Sequence, residues 1–323
     1  MSVLLTGAAG FIGFHVGRTL LDRGEQVVGI DNLNDYYDIA LKEARLARLH
    51  TYPGFRFTRL DVADRDAMFR LVEREPDLRS IIHLAAQAGV RHSLRDPYTY
   101  VDANIMGTLV VLEAARRIAD FQGLVYASSS SVYGANSKQP FSVDDRVDHP
   151  VSLYGATKRG CELMAEAYSR VYGLPATGLR FFTVYGPWGR PDMAAFLFTR
   201  AILAAEPIKL FNGGRMARDF TYIDDIVQGT VAAHDRPPGR GEHRIYNLGN
   251  HRSERLLDFI AVLERLLGRT ATKQLLPMQP GDVEATFADI EPARRELGFE
   301  PTTTIETGLA RFVQWYKEYY ELV

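Results

Sequence analysis

Residues 3–13 read VLLTGAAGFIG, an apolar run that leads directly into three glycines. The run predicts a buried strand over residues 3–6. The amphipathic stretch that follows predicts a helix over residues 11–23, and Gly24 is a suitable residue to end it. Residues 26–30 are apolar again and predict a second strand. The chain is therefore expected to begin with a strand–helix–strand unit whose two strands are parallel.

The three glycines have the spacing of a dinucleotide-binding turn. Gly7 permits a tight turn, Gly10 lets the backbone approach a pyrophosphate, and Gly13 allows the helix to pack closely on the strand. The N–H groups at the start of the helix can then bind the phosphates. Asp31 follows Gly13 by 18 residues, where an acid binds the ribose and favours NAD over NADP. We therefore predict an NAD site, with an ordinary glycine-rich turn as the alternative.

The strand–helix alternation continues along the first half of the chain. Residues 55–59, 80–84 and 124–127 are interpreted as three more strands, separated by helical segments. This order favours an α/β fold with a Rossmann-type doubly wound parallel sheet. We predict an NAD-binding domain over residues 1–180. Residues 181–323 are predicted to form mainly a smaller, partly interleaved substrate lobe, with some segments that return to the first domain.

Polar and small residues follow several of these predicted strands. Asp31, Asp61, Ala85 and the serine run 128–131 all stand at strand ends. Ligands bind beyond the carboxyl ends of the strands in open α/β sheets, so these residues are expected to face a ligand. For the serines, a plain polar turn is the alternative.

Tyr154 and Lys158 are four residues apart in SLYGATK, residues 152–158. On a helix they lie on one face, about one turn apart. A tyrosine has an unperturbed pKa of about 10, and a neighbouring ammonium favours its phenolate. Such a pair can take a proton from a hydroxyl while hydride leaves the same carbon. The alternative is a tyrosine and a lysine on an ordinary amphipathic helix.

The composition excludes several classes of function. Lys plus Arg is 38, Asp plus Glu is 40, and the net charge is −2. This balance gives no basic excess for nucleic acid or for an anionic membrane surface. The single cysteine, Cys161, rules out an intrachain disulfide and argues against a Cys-based zinc site. No targeting segment or apolar run of membrane-spanning length is recognised. We therefore expect a cytoplasmic protein without a metal.

The chain resembles the extended short-chain dehydrogenase/reductases over almost its whole length. Within them it resembles the nucleotide-sugar epimerase family, and the likeness is greatest to UDP-glucuronate 4-epimerases. The general features are the glycine spacing, Asp61-Val62, Ala85-Ala86, the serine run and the Tyr154/Lys158 pair. The more specific stretches are residues 31–37 (DNLNDYY), 181–191, 218–225 and 276–283.

The resemblance implies a tightly held NAD, a UDP-sugar substrate and a homodimer built on the helices around residues 97–117 and 154–172. Catalytic roles are implied for Tyr154, Lys158, Ser129, Ser130 and Ser131. Cofactor contacts are implied for Gly7, Ala9, Gly10, Phe11, Ile12, Gly13, Asp31, Asn32, Asn34, Asp61, Val62, Leu84, Ala85, Ala86, Tyr154, Lys158 and Phe181. Substrate contacts are implied for Gln87, Arg91, Ser129, Ser130, Ser131, Thr183, Arg190, Arg218 and Asp282.

The implied reaction is a reversible C4 epimerisation of UDP-glucuronate to UDP-galacturonate. Tyr154 removes the C4 hydroxyl proton, and NAD takes the C4 hydride. The 4-keto sugar turns over and receives the hydride on its other face. Ser129 would relay the proton, and Ser130, Ser131 and Thr183 would line the sugar.

Related enzymes differ at the residues before Val132-Tyr133-Gly134. Sugar-nucleotide 4,6-dehydratases have an Asp-Glu pair there and UDP-glucuronate decarboxylases a Glu, whereas this chain has Ser130 and Ser131. Galactose-type epimerases often have an arginine near Gln279, and its absence leaves Arg218 as the expected pyrophosphate ligand. The open alternatives are a UDP-glucose or UDP-GlcNAc 4-epimerase, a UDP-glucuronate decarboxylase, and a non-catalytic NAD-binding regulatory protein.

Arg190 is the predicted anchor for the carboxylate of a uronic acid. It stands between Gly189 and Pro191 in a loop that follows Thr183. A guanidinium there can form two parallel charge-assisted hydrogen bonds to a carboxylate. Arg91, after the 80–84 strand, is the rival anchor. The alternative for Arg190 is a solvated surface arginine or one that caps a neighbouring helix.

Overall fold

The computed structural model describes residues 1–279 and 283–322. The strands are β1 (Ser2–Thr6), β2 (Gln26–Asp31), β3 (Phe55–Arg59), β4 (Leu78–His83), β5 (Gly123–Ser129), β6 (Ala176–Phe181), β7 (Thr183–Tyr185), β8 (Ile208–Leu210), β9 (Ala217–Arg218), β10 (Phe220–Tyr222), β11 (His243–Leu248), β12 (Glu254–Arg255) and β13 (Lys273–Leu275). The α-helices are α1 (Phe11–Asp22), α2 (Ile39–Leu49), α3 (Arg65–Arg74), α4 (Pro97–Tyr100), α5 (Gly107–Ala115), α6 (Leu153–Tyr172), α7 (Ala194–Leu203), α8 (Ile223–Asp235), α9 (Leu256–Leu267), α10 (Glu291–Leu297) and α11 (Ile305–Tyr319).

A seven-stranded parallel sheet has the strand order β11-β6-β5-β4-β1-β2-β3. The five strands predicted from the sequence correspond to β1–β5, with bounds that differ by at most two residues. Thr6 at the end of β1 pairs with Ile30 of β2 and with His83 of β4. This register brings the carboxyl ends of the central strands to one edge of the sheet. The predicted Rossmann-type doubly wound sheet is therefore confirmed.

Apolar side chains alternate between the two faces of this sheet, as the pleat requires. Val3 and Leu5 belong to the core under α1, α2 and α8, whereas Leu4 belongs to the core under α3, α5 and α6. The central strand β1 is thus buried on both sides, which is why its sequence is a continuous apolar run, whereas the edge strand β3 is largely exposed.

Elements beyond residue 180 contribute both to the main sheet and to a separate cluster. β11 pairs with β6, and α8 packs on α1. Helices α7, α9 and α11 pack together around aromatic residues that include Phe196, Phe312 and Trp315. The domain boundary at residue 180 stays a prediction.

Candidate active site

A cavity of about 1090 Å³ lies beyond the carboxyl ends of the sheet strands. Its wall includes the turn after β1, the ends of β2, β4 and β5, the start of α6, and residues of β7, β9 and the loop after β7. Small-molecule sites commonly have volumes of about 300–1,000 Å³. The cavity therefore has room for a cofactor and a substrate side by side.

The glycine turn forms one end of the cavity. Gly7 has a φ of +73°, and a Cβ there would lie 2.7 Å from the Ala85 nitrogen. A Cβ on Gly13 would lie 2.0 Å from the Gly7 oxygen, so no other residue fits at that position. Gly10 caps α1 without a side-chain hydrogen bond, and the first turn of α1 contains no acid. The N–H groups at this helix end are therefore available to an anion.

Asp31 ends β2 at the same edge. Its carboxylate accepts hydrogen bonds from the Leu33 nitrogen at 2.9 Å and the Ala9 nitrogen at 3.2 Å. Burial raises the pKa of Asp31. Each carboxylate oxygen can accept a further hydrogen bond, which suits the hydroxyls of a ribose. Beside it, Asn32 Nδ2 donates to Asp61 Oδ2 at 2.9 Å and fixes the neighbouring strand end.

Asn104 joins the segment after β4 to α6. It lies in the π-helical turn Val101–Met106. Its Oδ1 accepts from the Gln87 nitrogen at 2.9 Å, and its Nδ2 donates to the Gln87 oxygen and to Thr157 Oγ1, both at 3.0 Å. This side chain fixes the segment after β4, which is predicted to contact the cofactor, relative to α6, which carries the predicted catalytic pair.

Helix α6 begins and ends with well-formed caps. Ser152 Oγ accepts a hydrogen bond from the Gly155 nitrogen at 3.1 Å, and Gly173 ends the helix with a φ of +73°. Both are the residue types that favour these positions. The caps fix the first turn of the helix, where Tyr154 is located.

Tyr154 and Lys158 both line the cavity from the first two turns of α6. Lys158 is buried, and its Nζ donates to the Ala127 oxygen at 2.8 Å. The Tyr154 ring packs edge-on against Tyr100, with 6.0 Å between centroids. No hydrogen bond reaches the Tyr154 hydroxyl within residues 1–279 and 283–322, so this hydroxyl is available to a ligand.

The serine run is divided between the cavity and the interior. Ser128 Oγ donates to Glu162 Oε1 at 2.7 Å. Ser129 Oγ accepts from the Ser131 nitrogen at 3.2 Å and so caps the short 3₁₀ turn that follows. Ser129, Ser130 and Ser131 line the cavity. No hydrogen bond joins Ser129 to Tyr154 among the described residues, and the proton relay stays a prediction.

A buried ion pair supports this turn from below. Arg180 donates to both carboxylate oxygens of Glu162, at 2.8 and 2.9 Å, and to the Tyr133 hydroxyl at 3.0 Å. Burial alone would raise the pKa of Glu162, but the hydrogen bonds from Arg180 lower it. The pair ties α6 to β6 and to the turn that carries Ser130 and Ser131.

Arg190 lines the cavity but already has a carboxylate partner. Its Nε donates to Asp192 Oδ1 at 3.1 Å, and its Nη2 donates to Asp192 Oδ2 at 2.6 Å. Tyr36 donates to the same carboxylate at 3.1 Å, and burial together with the Asp192 charge raises the pKa of Tyr36 to about 12. The third guanidinium nitrogen, Nη1, has no hydrogen bond among the described residues and is the donor left for a substrate carboxylate.

The remaining predicted substrate residues surround the other end of the cavity. Arg91 lies over the ring of Phe211 at 4.2 Å, and Thr183 lines the wall. Arg218 Nη1 donates to the Ala217 oxygen at 2.9 Å, and Arg218 also lines the cavity. Asp282 lies outside the described residues.

The residue after Arg218 is a buried acid. The Asp219 carboxylate accepts from the nitrogens of Asn250 and Ala288 and from Thr221 Oγ1. Burial raises the pKa of Asp219 to about 6. One carboxylate thus holds three segments together next to Arg218.

The sequence matches the family described as the NAD dependent epimerase/dehydratase family over residues 3–249. The chain belongs to this family. Related proteins extend over nearly the whole chain. A probable UDP-glucuronate 4-epimerase of Rhizobium meliloti is 47% identical over 99% of this chain and 98% of that protein. UDP-glucuronate 4-epimerase 3 of Arabidopsis thaliana is 48% identical over 99% of this chain and 77% of that protein.

Solved structures of family members have the same fold. The Bacillus cereus UDP-glucuronic acid 4-epimerase, in complex with UDP-glucuronic acid and NAD, superposes with a TM-score of 0.92 at 38% identity. That match covers 99% of this chain and 100% of the Bacillus chain. The Thermotoga maritima UDP-glucose 4-epimerase, with UDP-glucose, gives a TM-score of 0.89 at 30% identity over 99% and 100% of the two chains.

The cavity brings together almost all the site residues expected from the sequence. Every one of them that the structure describes lines the cavity except Ala9. The Ala9 nitrogen donates to Asp31 and its oxygen accepts from Arg45, so both of its backbone groups already bind protein atoms. The roles of the individual residues stay predictions.

Several residues at the site were not expected from the sequence. They are Tyr36, Arg45, Tyr100, Asn104, Asp192 and Asp219. Asp192 stands two residues after Arg190, so an ion pair between them could have been predicted from the sequence. An arginine on an amphipathic helix such as α2 gives no such signal, because most arginines there are exposed.

Two further observations concern the described part of the chain, residues 1–279 and 283–322. Within it, no cluster of three or more His, Cys, Asp or Glu side chains could hold a metal ion. None of its helices has the length and apolar character needed to cross a membrane.

Proposed function

We propose that this protein is an NAD-dependent UDP-glucuronate 4-epimerase, an isomerase that interconverts UDP-glucuronate and UDP-galacturonate. The observation that carries this proposal is one cavity whose wall contains the glycine turn, the Tyr154/Lys158 pair and Arg190. The family and the names of relatives at 47–48% identity support the same reaction.

The residues at the sheet edge fit NAD. The turn from Gly7 to Gly13 and the uncapped start of α1 suit a pyrophosphate, and Asp31 suits the ribose that carries the adenine. Lys158 would bind the ribose of the nicotinamide. When bound, NAD would supply a group that reversibly accepts the hydride from the C4 carbon of the sugar.

The protein supplies the proton chemistry. Tyr154 takes the proton from the C4 hydroxyl and returns it when the hydride comes back to the other face. Lys158 lies one turn further along α6 and lines the same cavity, so its side chain would support this proton transfer. The Ser129 oxygen already accepts a hydrogen bond from Ser131, so its hydroxyl proton is free to bridge towards the C4 oxygen.

A uronic acid substrate adds a second requirement. Its 4-keto form is a β-keto acid, which loses carbon dioxide when the C5–C6 bond aligns with the ketone π system. Arg190 Nη1 would hold the carboxylate in another orientation, while Asp192 holds the opposite side of the guanidinium. Arg91 is the rival anchor.

The chemistry at the serine turn favours epimerisation over dehydration and decarboxylation. Dehydration and decarboxylation in related enzymes use acids at the positions of Ser130 and Ser131, where this chain has only hydroxyls. A purely regulatory NAD-binding protein would not require a tyrosine and a lysine together in the cavity. We therefore propose epimerisation as the activity.

We also propose that the enzyme is a homodimer through the face formed by α4, the π-helical turn Val101–Met106 and α6. Tyr98, Leu163 and Val171 are 80%, 54% and 70% exposed there. Exposed apolar groups gathered on one face are typical of an interface. A mass of one chain at micromolar concentration, measured by light scattering, would contradict this.

The cytoplasm remains the proposed location. Cys161 is a free and buried thiol, and a protein without disulfides suits a reducing compartment.

Incubation with UDP-glucuronate tests the activity. The purified protein should convert it to UDP-galacturonate, and the Tyr154→Phe variant should be slower by about 10²–10⁴-fold because only the proton-transfer group is lost. UDP-xylose as the main product would indicate a decarboxylase. No product from a folded, NAD-loaded protein would reject the proposal.

A further inference from the structure

The loop between β7 and α7 is held by side chains from the cofactor-binding half. Residues 186–190 of this loop form no helix or strand. His15 Nε2 donates to the Pro187 oxygen at 2.9 Å. Arg45 Nη2 donates to the Trp188 oxygen at 2.7 Å and to the Gly189 oxygen at 3.2 Å. These carbonyls directly precede Arg190.

The loop has an unfavourable backbone conformation that needs such support. Trp188 has a φ of +62°, in the left-handed region that a tryptophan seldom adopts. A residue of this kind persists only when its surroundings hold it. The Trp188 ring packs against Phe14 and Trp315, at 5.5 and 5.3 Å between centroids, and Arg45 holds its carbonyl.

Arg45 also binds the cofactor turn. It is fully buried on α2, and its Nη1 donates to the Ala9 oxygen and to the Tyr37 hydroxyl, both at 2.8 Å. No carboxylate forms an ion pair with Arg45 within the part of the chain that the structure describes. Burying an unpaired guanidinium is costly, and its charge is here stabilised by carbonyl oxygens from two separate loops. One side chain therefore connects the glycine turn to the loop that carries Arg190.

We propose that Arg45 is a positioning residue for substrate recognition: it fixes the loop of Trp188 and Gly189 on the cofactor turn and thereby places Arg190 for the carboxylate of a uronic acid. This inference rests on the proposed function. The planar guanidinium is required because it presents donors in two directions at once, to Ala9 on one side and to the loop on the other.

The variant R45K separates this role from simple burial of a charge. A lysine ammonium is a compact donor that can serve one of the two loops but not both. Displacement of a binding group by about 1 Å can lower the rate of the catalysed reaction by roughly 10²-fold. We expect NAD-loaded R45K to bind UDP-glucuronate at least about tenfold more weakly. Its affinity for UDP-glucose, which has no carboxylate, should change by less than about twofold because Arg190 makes no ion pair with it.

Calorimetric titration of both nucleotide sugars gives this comparison, and the NAD content of each protein is measured in parallel. R48A is the matched control. Arg48 lies on the same helix and stacks on the same Trp188 ring at 4.7 Å, but it holds no carbonyl of the loop. R48A should bind both sugars as the wild type does. If R45K does not fold, R45Q, whose amide can also serve only one loop, gives the same comparison.

A double variant decides whether Arg45 acts through Arg190. In the R190A background, R45K should cause no further loss of UDP-glucuronate affinity. An equal loss in that background, an equal loss for both sugars, or loss of NAD without a change in sugar selectivity would overturn the proposal. Failure of the proposed function itself is seen separately, as a wild-type protein that does not convert UDP-glucuronate.

Discussion

The two ends of the cavity are built in different ways. The cofactor end is centred on a continuous stretch, residues 3–13, whose groups for the phosphates are backbone N–H groups and whose turn contains three glycines. The substrate end is assembled from residues far apart in the chain, including Arg91, Arg190 and Arg218. Its segments are held by buried charged side chains, chiefly Arg45 and Asp219.

This difference determines what each end tolerates. The cofactor end fails when a side chain is added, because a Cβ enters space that the backbone occupies. The substrate end fails when a side chain is removed, because carbonyl or N–H groups then lose their buried partners. The two ends should therefore respond to opposite kinds of substitution, and each should affect a different ligand.

The largest effect is expected from Gly13→Ala at the cofactor end. The added Cβ would lie 2.0 Å from the Gly7 oxygen, so the turn cannot keep its shape. We expect loss of NAD from the purified protein and loss of all turnover. NAD is measured by acid extraction, and folding by circular dichroism.

Gly10→Ala is the graded control, because its Cβ would lie 3.0 Å from the same oxygen, a contact that a small shift can relieve. It should retain more NAD than Gly13→Ala. A Gly13→Ala protein with full NAD content would contradict the account of the turn.

Arg190→Ala at the substrate end should have a smaller and more selective effect. Removal of a charged partner from a desolvated pair costs about 2–4 kcal/mol of transition-state binding, here for UDP-glucuronate only. UDP-glucose should show no such loss, and NAD content should stay unchanged. Steady-state kinetics with both sugars measure the difference, and decarboxylated product should increase.

Arg190→Lys and Arg91→Ala sharpen this result. Lysine should restore part of the uronate activity, since it keeps the charge but cannot bind Asp192 with two nitrogens while a third faces the substrate carboxylate. Equal losses for both sugars in Arg190→Ala would mean that Arg190 only shapes the loop. A selective loss in Arg91→Ala alone would assign the anchor to Arg91.

The same contrast explains what the sequence could predict. β1 to β5, the glycine turn and Asp31 follow from local patterns, because apolar runs, glycines and strand-end acids lie next to each other in the chain. The Tyr154/Lys158 pair was predicted for a similar reason, since both residues lie on one helix. A turn that binds its ligand through backbone groups depends on adjacent residues, so a local sequence pattern is enough to predict it.

The support of the substrate end could not be predicted in this way. Arg45 contacts residues 143 and 144 positions further along the chain, and Asp219 contacts a residue 69 positions away. A charged residue on an amphipathic segment usually indicates solvent exposure, so nothing local marks these two as buried. Only the fold shows which backbone groups they serve.

The smallest expected effect concerns pH and Asp219. Burial raises its pKa in the folded protein to about 6, above the ordinary value of 3.8. The folded state therefore holds this proton more tightly than the unfolded state, and the contribution of Asp219 to stability decreases as pH rises through 6. Between pH 7 and pH 5 this contribution to the unfolding free energy should increase by about 1 kcal/mol.

Asp219→Asn lacks this titration, whereas the other ionisable groups are common to both proteins. The difference in unfolding free energy between wild type and variant, measured with urea, should thus be larger at pH 5 than at pH 7. A difference that stays constant would mean that Asp219 is ionised throughout this range, stabilised by the N–H groups of Asn250 and Ala288. The variant should bind UDP-sugars more weakly and retain its NAD, because the carboxylate supports only the substrate end.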